Sequence, residues 1–438
     1  MKLLVMDNGK VGLDLAYRAQ QAGHDVRFWV PRTKGGSERF AGRGLVPRVA
    51  DWEPSMRWAD LILPTDNCTY IDRMESFFNQ GFPIFGCNRA AGELELDRLK
   101  GQQVMEKYGI KTIPTKKFTS YRDAEAYVRK TCKTYVSKPI GEADKGLSYV
   151  SKSAADLAFK MGLWAKENPL KEGFVLQDCI NGTEMATGGW FGKEGWSQWK
   201  CQNWEEKRLM NDGLGINTGE QGTTLRYTKK CQLFDETLEP VTEYLFDIGY
   251  VGYVDMNCMV DEKGNPWPLE FTMRFGWPLA MIQMALHRGD PVEWMLDLME
   301  GRDTLRVSED VAVGVVLSHG DYPNSYFKPE KNTGFPITGI TPKNARSIHM
   351  VDVCWQKAPV MDGDKVVDQN TFCTAGNYVL VATGTGNTVE AARDACYKIA
   401  WDINFPSNRM FRTDIGKRLE DELPELQKHG FARGIKYA

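Results

Sequence analysis

Two lysines, Lys138 in the stretch YVSKPI and Lys145 in GEADKGLSYV, flank a polar loop that also holds Gly141 and Gly146. Cations on either side of a mobile loop suit the neutralisation of several phosphate charges, the second arriving as the loop closes. Two solvated surface lysines are the plainer alternative. Further on, VLQDCINGTE ends an apolar run and reaches Glu184 after Gly182. There Gln177 and the backbone near Cys179 could meet an adenine edge and Glu184 the hydroxyls of a ribose, although a lone glutamate after a strand is more often a solvated turn residue. Asp255 and Glu270 stand in the apolar stretches YVDMNCMV and NPWPLEFTM, joined by a Lys263-Gly264-Asn265 turn that reads as a β-hairpin. Residues two apart on a strand share a face, so Asp255 points with Asn257 and Glu270 with Thr272. Facing strands then aim the two carboxylates at one point. Oxygen donors of this kind suit Mg²⁺, usually held by one or two carboxylates plus phosphate oxygens. Their setting among Val254, Met256, Leu269 and Phe271 favours a buried functional face over two unrelated polar residues. Arg274 follows on the same face and could hold a carboxylate or an oxyanion; a structural salt bridge explains its spacing nearly as well.

The elements that must position these groups follow from periodicity. LLVMD, HDVRFWV, ADLILPT and FPIFG read as short strands. Between them lie a helix with Val11, Leu15, Ala19 and Ala22 on one face, ended by Gly23, and a second helix, IDRMESFFNQG. Such alternation implies a parallel sheet. The first turn, Asp7-Asn8-Gly9-Lys10-Val11-Gly12, joins a strand to a helix, where free N–H groups can bind an anion. With only Gly9 and Gly12 it is equally a tight connection. From about Glu93 a helix, ELDRLKGQQVMEKYG, leads into the strands TYVSKPI, LSYVSK and FVLQDCI and then the hairpin. After Gly301 come the strands VAVGVVL and YVLVATG and a helix with Val389, Ala392, Cys396, Ile399 and Ile403 on one face, started by a capping-box-like Asn387 and Glu390.

A chain of 438 residues exceeds one ordinary core, so two or three domains are expected, and 42% apolar residues suffice to bury them. No apolar run is long enough to span a bilayer. The opening MKLLVMDNGK reads as a strand rather than a signal peptide. Ten scattered cysteines, without a C-x-x-C pair, read as reduced thiols of a cytoplasmic protein. A net charge of −3 with interspersed signs offers no basic stripe for nucleic acid.

Taken in order, these stretches resemble the ATP-grasp superfamily and, within it, the phosphoribosylamine–glycine ligase (glycinamide ribonucleotide synthetase) family, over nearly the whole chain. FPIFGCNRAAGELELDRLKGQQVMEKYGI is similar to that family's approach to its ATP-grasp domain, with Arg98 at a phosphate-contacting basic position. VSKPIGEADKG and LQDCINGTE match its two-lysine and adenine-ribose segments. NWEEKRLMNDGLGINTGEQG resembles its K-R pair and N-T-G-x-x-G loop, here Lys207-Arg208 and Asn217-Thr218-Gly219 with Gly222. LEFTMRFG resembles its E-F-N-x-R-F-G strand. TAGNYVLVATGTGNTVEAARDACYKI with MFRTDIGKRL is similar to its closing domain.

The resemblance implies an α/β protein in three parts: a Rossmann-like domain over 1–92, a split ATP-grasp domain over 93–305 with a lid subdomain about 111–180, and a small α/β C-terminal domain over 306–438. It implies an ADP-forming carboxylate–amine ligase of purine biosynthesis, using ATP with Mg²⁺ or Mn²⁺, acting on an amino acid such as glycine and an amine such as phosphoribosylamine, as monomer or homodimer. ATP would meet Arg98, Lys138, Lys145, Gly146, Gln177, Cys179, Glu184, Lys207 and Asn217, and the metal Asp255, Glu270 and Thr272. Arg274, Lys145 and Lys207 would serve the chemistry, and no histidine or cysteine is needed as a nucleophile.

The departures fall on the acceptor side. The family's R-E-H triplet is Val11, Gly12 and Leu13; its metal-sharing asparagine is Thr272; its D-P-E is Trp277-Pro278-Leu279; its G-G-R is Gly376-Asn377-Tyr378. A different amine acceptor is therefore an open expectation. A nucleotide-binding homologue without ligase activity, acting as regulator or scaffold, is the alternative. An NAD-dependent dehydrogenase lacks the acidic residue it needs at the end of HDVRFWVPR.

Overall fold

The computed structural model describes the chain apart from residues 33–37, 68, 141–147, 168–172, 320–321, 323–331 and 407–408. β1 (Lys2–Met6) is the middle strand of a parallel sheet, between β2 (Asp25–Trp29) and β3 (Leu61–Pro64). Its side chains alternate as a two-sided strand demands. Leu3 and Val5 join the main core with the helix Gly12–Gln21, while Leu4 and Met6 pack with Trp52, Ile62, Tyr70 and Met74 on the other face. Ala22, expected on the buried face of that helix, is exposed, because the helix ends at Gln21. FPIFG makes isolated bridges rather than a strand, a parallel one of Ile84 with Ile62 and an antiparallel one of Gly86 with Val251. Pro83 lacks the N–H that a further rung requires. The helix read as continuous through ELDRLK is two, Arg89–Leu96 and Arg98–Lys107. Asp97 breaks it by leaving helical geometry and accepting the N–H groups of Leu99 and Lys100.

The next sheet is small and antiparallel: β4 (Thr115–Phe118), β5 (Tyr135–Pro139), β6 (Tyr149–Val150) and β7 (Phe174–Asp178), in the order β4-β7-β5-β6. With the helices Tyr121–Thr131 and Ala154–Glu167 it encloses a separate core built on Tyr121, Leu157, Met161, Trp164 and Phe174.

The dominant sheet begins with β8 (Gly182–Gly192), β9 (Gly195–Arg208), β10 (Asn217–Thr228), β11 (Gly252–Asp261) and β12 (Pro266–Thr272). A short pair, β13 (His287–Arg288) and β14 (Arg306–Val307), intervenes before β15 (Val311–Ser318). Then come β16 (Thr333–Pro336), β17 (Ile348–Met350), β18 (Val353–Asp362), β19 (Lys365–Ala375) and β20 (Tyr378–Gly386). β16, β19 and β18 form a side sheet, whereas β15, β20 and β17 extend the dominant one to eight strands, ordered β12-β11-β8-β9-β10-β15-β20-β17. The helix Val389–Asp402 lies on its outer part, so close that a Cβ on Gly384 would stand 2.1 Å from the backbone nitrogen of Cys396. That helix is capped by Thr388, which accepts the Ala391 N–H, rather than by Asn387, so its first turn is shifted by one residue. Among the described residues no helix is long and apolar enough to cross a membrane.

Candidate active site

The β11–β12 hairpin turns at Gly264, whose φ of +78° suits glycine, with Asp261 accepting the N–H groups of Lys263 and Asn265. An irregularity between Asn257 and Cys258 sets the register, placing Asp255 opposite Thr272 and Asn257 opposite Glu270. Asp255 and Glu270 are therefore diagonal neighbours on one face. The intervening Met256 and Phe271 are sealed in the core behind them.

What lets this face form a cavity is the neighbouring strand. Asp255 on β11 is paired with Gly188 on β8, and Asn257 with Ala186, which is paired in turn with Asn203 on β9. Small residues on β8 keep the floor low, so side chains of β11 and β9 meet above it. Asn203 Nδ2 and the Tyr253 hydroxyl each donate to Asp255 Oδ2 at 2.9 Å, and Asn257 Nδ2 donates to Glu205 Oε2 at 3.1 Å. Burial, reinforced by Glu205, pushes the Asp255 carboxyl up to about 8 and that of Glu220 well above the carboxylate range.

The cations stand around these acids. Lys207 Nζ lies 2.9 Å from Glu184 Oε1 and 3.0 Å from Glu205 Oε2. Burial works against the charge on Lys207, yet Glu184, Glu205 and Glu270 outweigh it and hold the ammonium well above its ordinary range. Arg98, at the first position of its helix, is ion-paired with Glu270. Burial alone would raise Glu270, but Arg98, Lys138 and Lys207 hold it well below the usual carboxylate range. Lys138, on β5, is lowered to about 8 by burial, with Arg98 and Lys207 adding to the effect and Glu270 opposing it. Thus the small sheet and the dominant sheet contribute charges that act on one another.

Asp255, Glu270, Thr272, Lys207 and Arg274 line one cavity of about 410 Å³ with Glu205, Glu220 and Asn257. The rest of its lining comes from the turns after β1 and β3, Gly9, Lys10 and Thr65 to Asn67, and from Glu95, Trp277, Leu279 and Tyr378. Arg274 puts both Nε and Nη2 3.0 Å from Glu95 Oε1. The salt-bridge reading of that residue describes its contacts. Gln177 is buried and donates to Thr115 Oγ1, and Cys179 is half-buried just beyond β7. Asn217 belongs to β10 rather than to a loop, opposite Arg208, with a register irregularity before Gly222. Lys145 and Gly146 lie outside the described residues. The first turn is a tight connection: the Asp7 carboxylate accepts the Val11 N–H at 3.0 Å, so an internal anion occupies part of its donor set.

Glu205, Glu220, Asn203, Tyr253 and Glu95 were not singled out from the sequence. Period-2 alternation along NWEEKR, which puts Asn203, Glu205 and Lys207 on one face, was the available signal.

A divalent cation fits this face. Asp255 Oδ1 and Asn257 Oδ1 are both buried without a partner among the described residues. An unpaired buried oxygen is costly, and an oxygen-only donor set with nearby carboxylates suits Mg²⁺.

Residues 312–418 match the family model described as phosphoribosylglycinamide synthetase, C domain. The chain is 27% identical to a phosphoribosylamine–glycine ligase of Salmonella typhimurium over 446 residues, covering 95% of this chain and 98% of that protein. The crystal structure of a phosphoribosylamine–glycine ligase from Thermotoga maritima superposes with a TM-score of 0.71 at 20% identity, covering 95% of this chain and all of that one. A biotin carboxylase from Campylobacter jejuni, solved as a β,γ-ATP complex, has the same overall fold at a TM-score of 0.59 and 13% identity, covering 98% of this chain and 97% of that one.

Proposed function

We propose that the chain is a member of the phosphoribosylamine–glycine ligase family of ATP-grasp proteins, on its resemblance to those ligases, and that it is an ATP-dependent, ADP-forming ligase that joins a carboxylate to an amine through an acyl phosphate. The observation that carries this reading is the cluster in which Arg98, Lys138 and Lys207 converge on Glu270 beside the partly unpaired Asp255. Three cations, from a helix and two sheets, suit a polyphosphate, and such catalysis is mostly positioning and charge stabilisation.

In this reading ATP lies between the small sheet and the dominant sheet, its phosphates on Arg98, Lys138, Lys207 and Lys145. The adenosine lies near Gln177, Cys179 and Glu184, with Gly146 and Asn217 at the edges. An oxygen of the substrate carboxylate, that of glycine or another small amino acid, attacks the γ-phosphorus and the bond to ADP breaks. The amine nitrogen of the second substrate then attacks the acyl carbon, losing a proton as inorganic phosphate departs. Lys207 and Arg274 balance the charge that develops on the carbonyl oxygen. Asp255 and Glu270, with Asn257 and Thr272 alongside, would hold Mg²⁺ or Mn²⁺, which supplies neutralisation of the phosphate charge. Free cysteines, nine among the described residues, suit a reducing cytoplasm.

The test is independent of the acceptor. Hydroxylamine traps acyl phosphates as hydroxamates, so the wild-type chain with ATP, Mg²⁺ and glycine should form ADP and glycine hydroxamate together. Glu270→Ala should lower that rate by about a hundredfold or more while the circular-dichroism spectrum is retained. Undiminished ADP formation in Glu270→Ala overturns the reading.

A further inference from the structure

Two helices that start at the candidate active site lead to a second cavity. The helix Gly12–Gln21 leaves the turn that holds Gly9 and Lys10, and the helix Leu279–Leu286 opens with Leu279; all three of these residues line the first cavity. Further along, the first helix presents Tyr17 and Arg18, and the second presents Met284, to a separate cavity of about 640 Å³. Phe372 of β19 and Arg288 of β13 complete its walls, with Arg346 from the segment before β17. The two cavities share no lining residue, and every residue lining the second, with its chain neighbours, belongs to the described part of the chain. A volume of this size, at a junction of three parts of a chain, is typical of a small-molecule site.

The charges around it do not balance. Arg18, Arg288 and Arg346 line the cavity against one acid, Asp14, which is already ion-paired with Arg18 and His349. His287, kept neutral by burial, adds no charge. Arg288 Nη1 donates to the main-chain oxygens of Ala285 at 3.2 Å and His287 at 3.3 Å. Arg288 also borders a neighbouring hollow that holds Asp290 and Glu293. Among the described residues neither Arg288 nor Arg346 is ion-paired with a carboxylate, and both are exposed. Two guanidinium charges are thus left over. A phosphate monoester, with about −1.5 to −2 charges at neutral pH, matches them, and the planar fork of arginine suits its oxygens. Beside these cations the wall is apolar. Tyr17 and Phe372 meet edge to face with ring centroids 6.5 Å apart, and Met284 is half-buried. Rings and a thioether suit the flat face of an aromatic ligand.

We propose that this cavity is a second binding site, for a phosphate monoester carried on a planar body, of which a nucleoside monophosphate is the simplest case. The phosphate meets Arg288 and Arg346, and the ring lies against Tyr17, Met284 and Phe372. The proposal does not rest on the ligase reading.

The experiment saturates the full chain with ADP and Mg²⁺, to fill the candidate active site, and titrates it with AMP, GMP or UMP by isothermal titration calorimetry. Inorganic phosphate and adenosine serve as the separate fragments. At least one monophosphate should bind once per chain, about tenfold or more tighter than either fragment. Arg346→Glu and Arg288→Glu, both at exposed positions, should each weaken that binding by about tenfold or more, the scale of one charge-assisted contact. Arg57→Glu, an exposed arginine that lines neither cavity, should leave it unchanged. The arginine variants identify the site whether or not ADP is bound. Failure of all three nucleotides to bind, or inorganic phosphate binding as tightly as any of them, overturns the proposal. So does an affinity in Arg346→Glu or Arg288→Glu equal to that of Arg57→Glu. None of these outcomes touches the ligase reading, which hydroxamate formation tests separately.

Discussion

The Asp14 carboxylate and the His349 imidazole, 335 positions apart, meet at 2.7 Å in the interior, where neither is more than 1% exposed. Asp14 also accepts Arg18 Nε at 2.7 Å and the Met350 N–H at 3.1 Å, so one side chain on the first helix anchors β17 of the dominant sheet. Replacing it strands three donors, one of them charged. Asp14→Ala should cost about 3 to 5 kcal/mol in urea unfolding, the range for breaking a buried pair from one side. Burial alone would raise Asp14, but Arg18 and His349 hold it down to about 2. Its stabilisation is thus complete above the ordinary value of 3.8 and is lost as pH falls through about 2. Wild type and Asp14→Ala should converge in stability as acid is added; parallel curves would contradict this.

His287 also costs stability as acid is added, but over a higher range of pH and because its native form is neutral rather than charged. Burial, aided by Arg288, lowers it to about 3, and its Nε2 is 2.8 Å from the Tyr227 hydroxyl. The native chain keeps this ring neutral, whereas the unfolded chain takes up a proton below about 6.5. Stability should therefore decline as pH drops from about 6.5 toward 3, by about 3 kcal/mol at pH near 4.5. His287→Gln should flatten that part of the profile, measured as the urea midpoint at neutral pH and at pH near 4.5. A slope equal to wild type would remove His287 from the account.

Nucleotide affinity should carry the mark of Lys138. An ammonium lowered to about 8 is mostly charged at neutral pH, and a bound phosphate raises it again. Binding thus takes up protons above pH 8, so ATP affinity should weaken there by up to about tenfold per pH unit. Lys138→Arg, which stays charged, should show a shallower decline by calorimetry at pH about 7 and 9. An equally steep decline in the arginine variant would place the titration elsewhere in the cavity.

Gly188 holds the floor of the site open. A Cβ there would fall 2.2 Å from the Tyr253 hydroxyl and 2.5 Å from Asp255 Oδ2. Gly188→Ala should displace both groups, costing about 1 to 3 kcal/mol of stability and about a hundredfold in ATP turnover. Gly195→Ala, at a turn far along the same strand pair, should cost stability without the loss of turnover. Equal turnover in the two variants would deny Gly188 its positioning role.

The hairpin was legible because a Lys-Gly-Asn turn joins two apolar stretches that each carry an acid, a local signal with a period of 2. That β1, β2 and β3 form a parallel sheet was legible from another local signal, the alternation of strands with helices, but their order was not. Glu205 was not legible, because an acid in a charged run reads as solvated until the pairing of β8 with β9 turns its face inward, and Glu220 was not, because a lone acid among glycines reads as a loop residue until β10 pairs with β9. Asp14 was hidden more completely. On the first helix it reads as an ordinary acid in the first turn, and only His349, far along the chain, explains its burial. Arg274 shows a limit of another kind: spacing placed it at the cavity, but Glu95, on a separate helix, decides what its guanidinium contacts.

The eight-stranded order also bears on how the molecule is made. β10 is flanked by β9, its close neighbour in sequence, and by β15, while β20 must slide between β15 and β17 after both have left the ribosome. Until residue 386 emerges, an open β15 margin of Val311 to Ser318, wholly apolar but for its last residue and Gly314, waits unprotected. Translation of this chain should accordingly leave a late, adhesive nascent form that depends on chaperones until that strand docks.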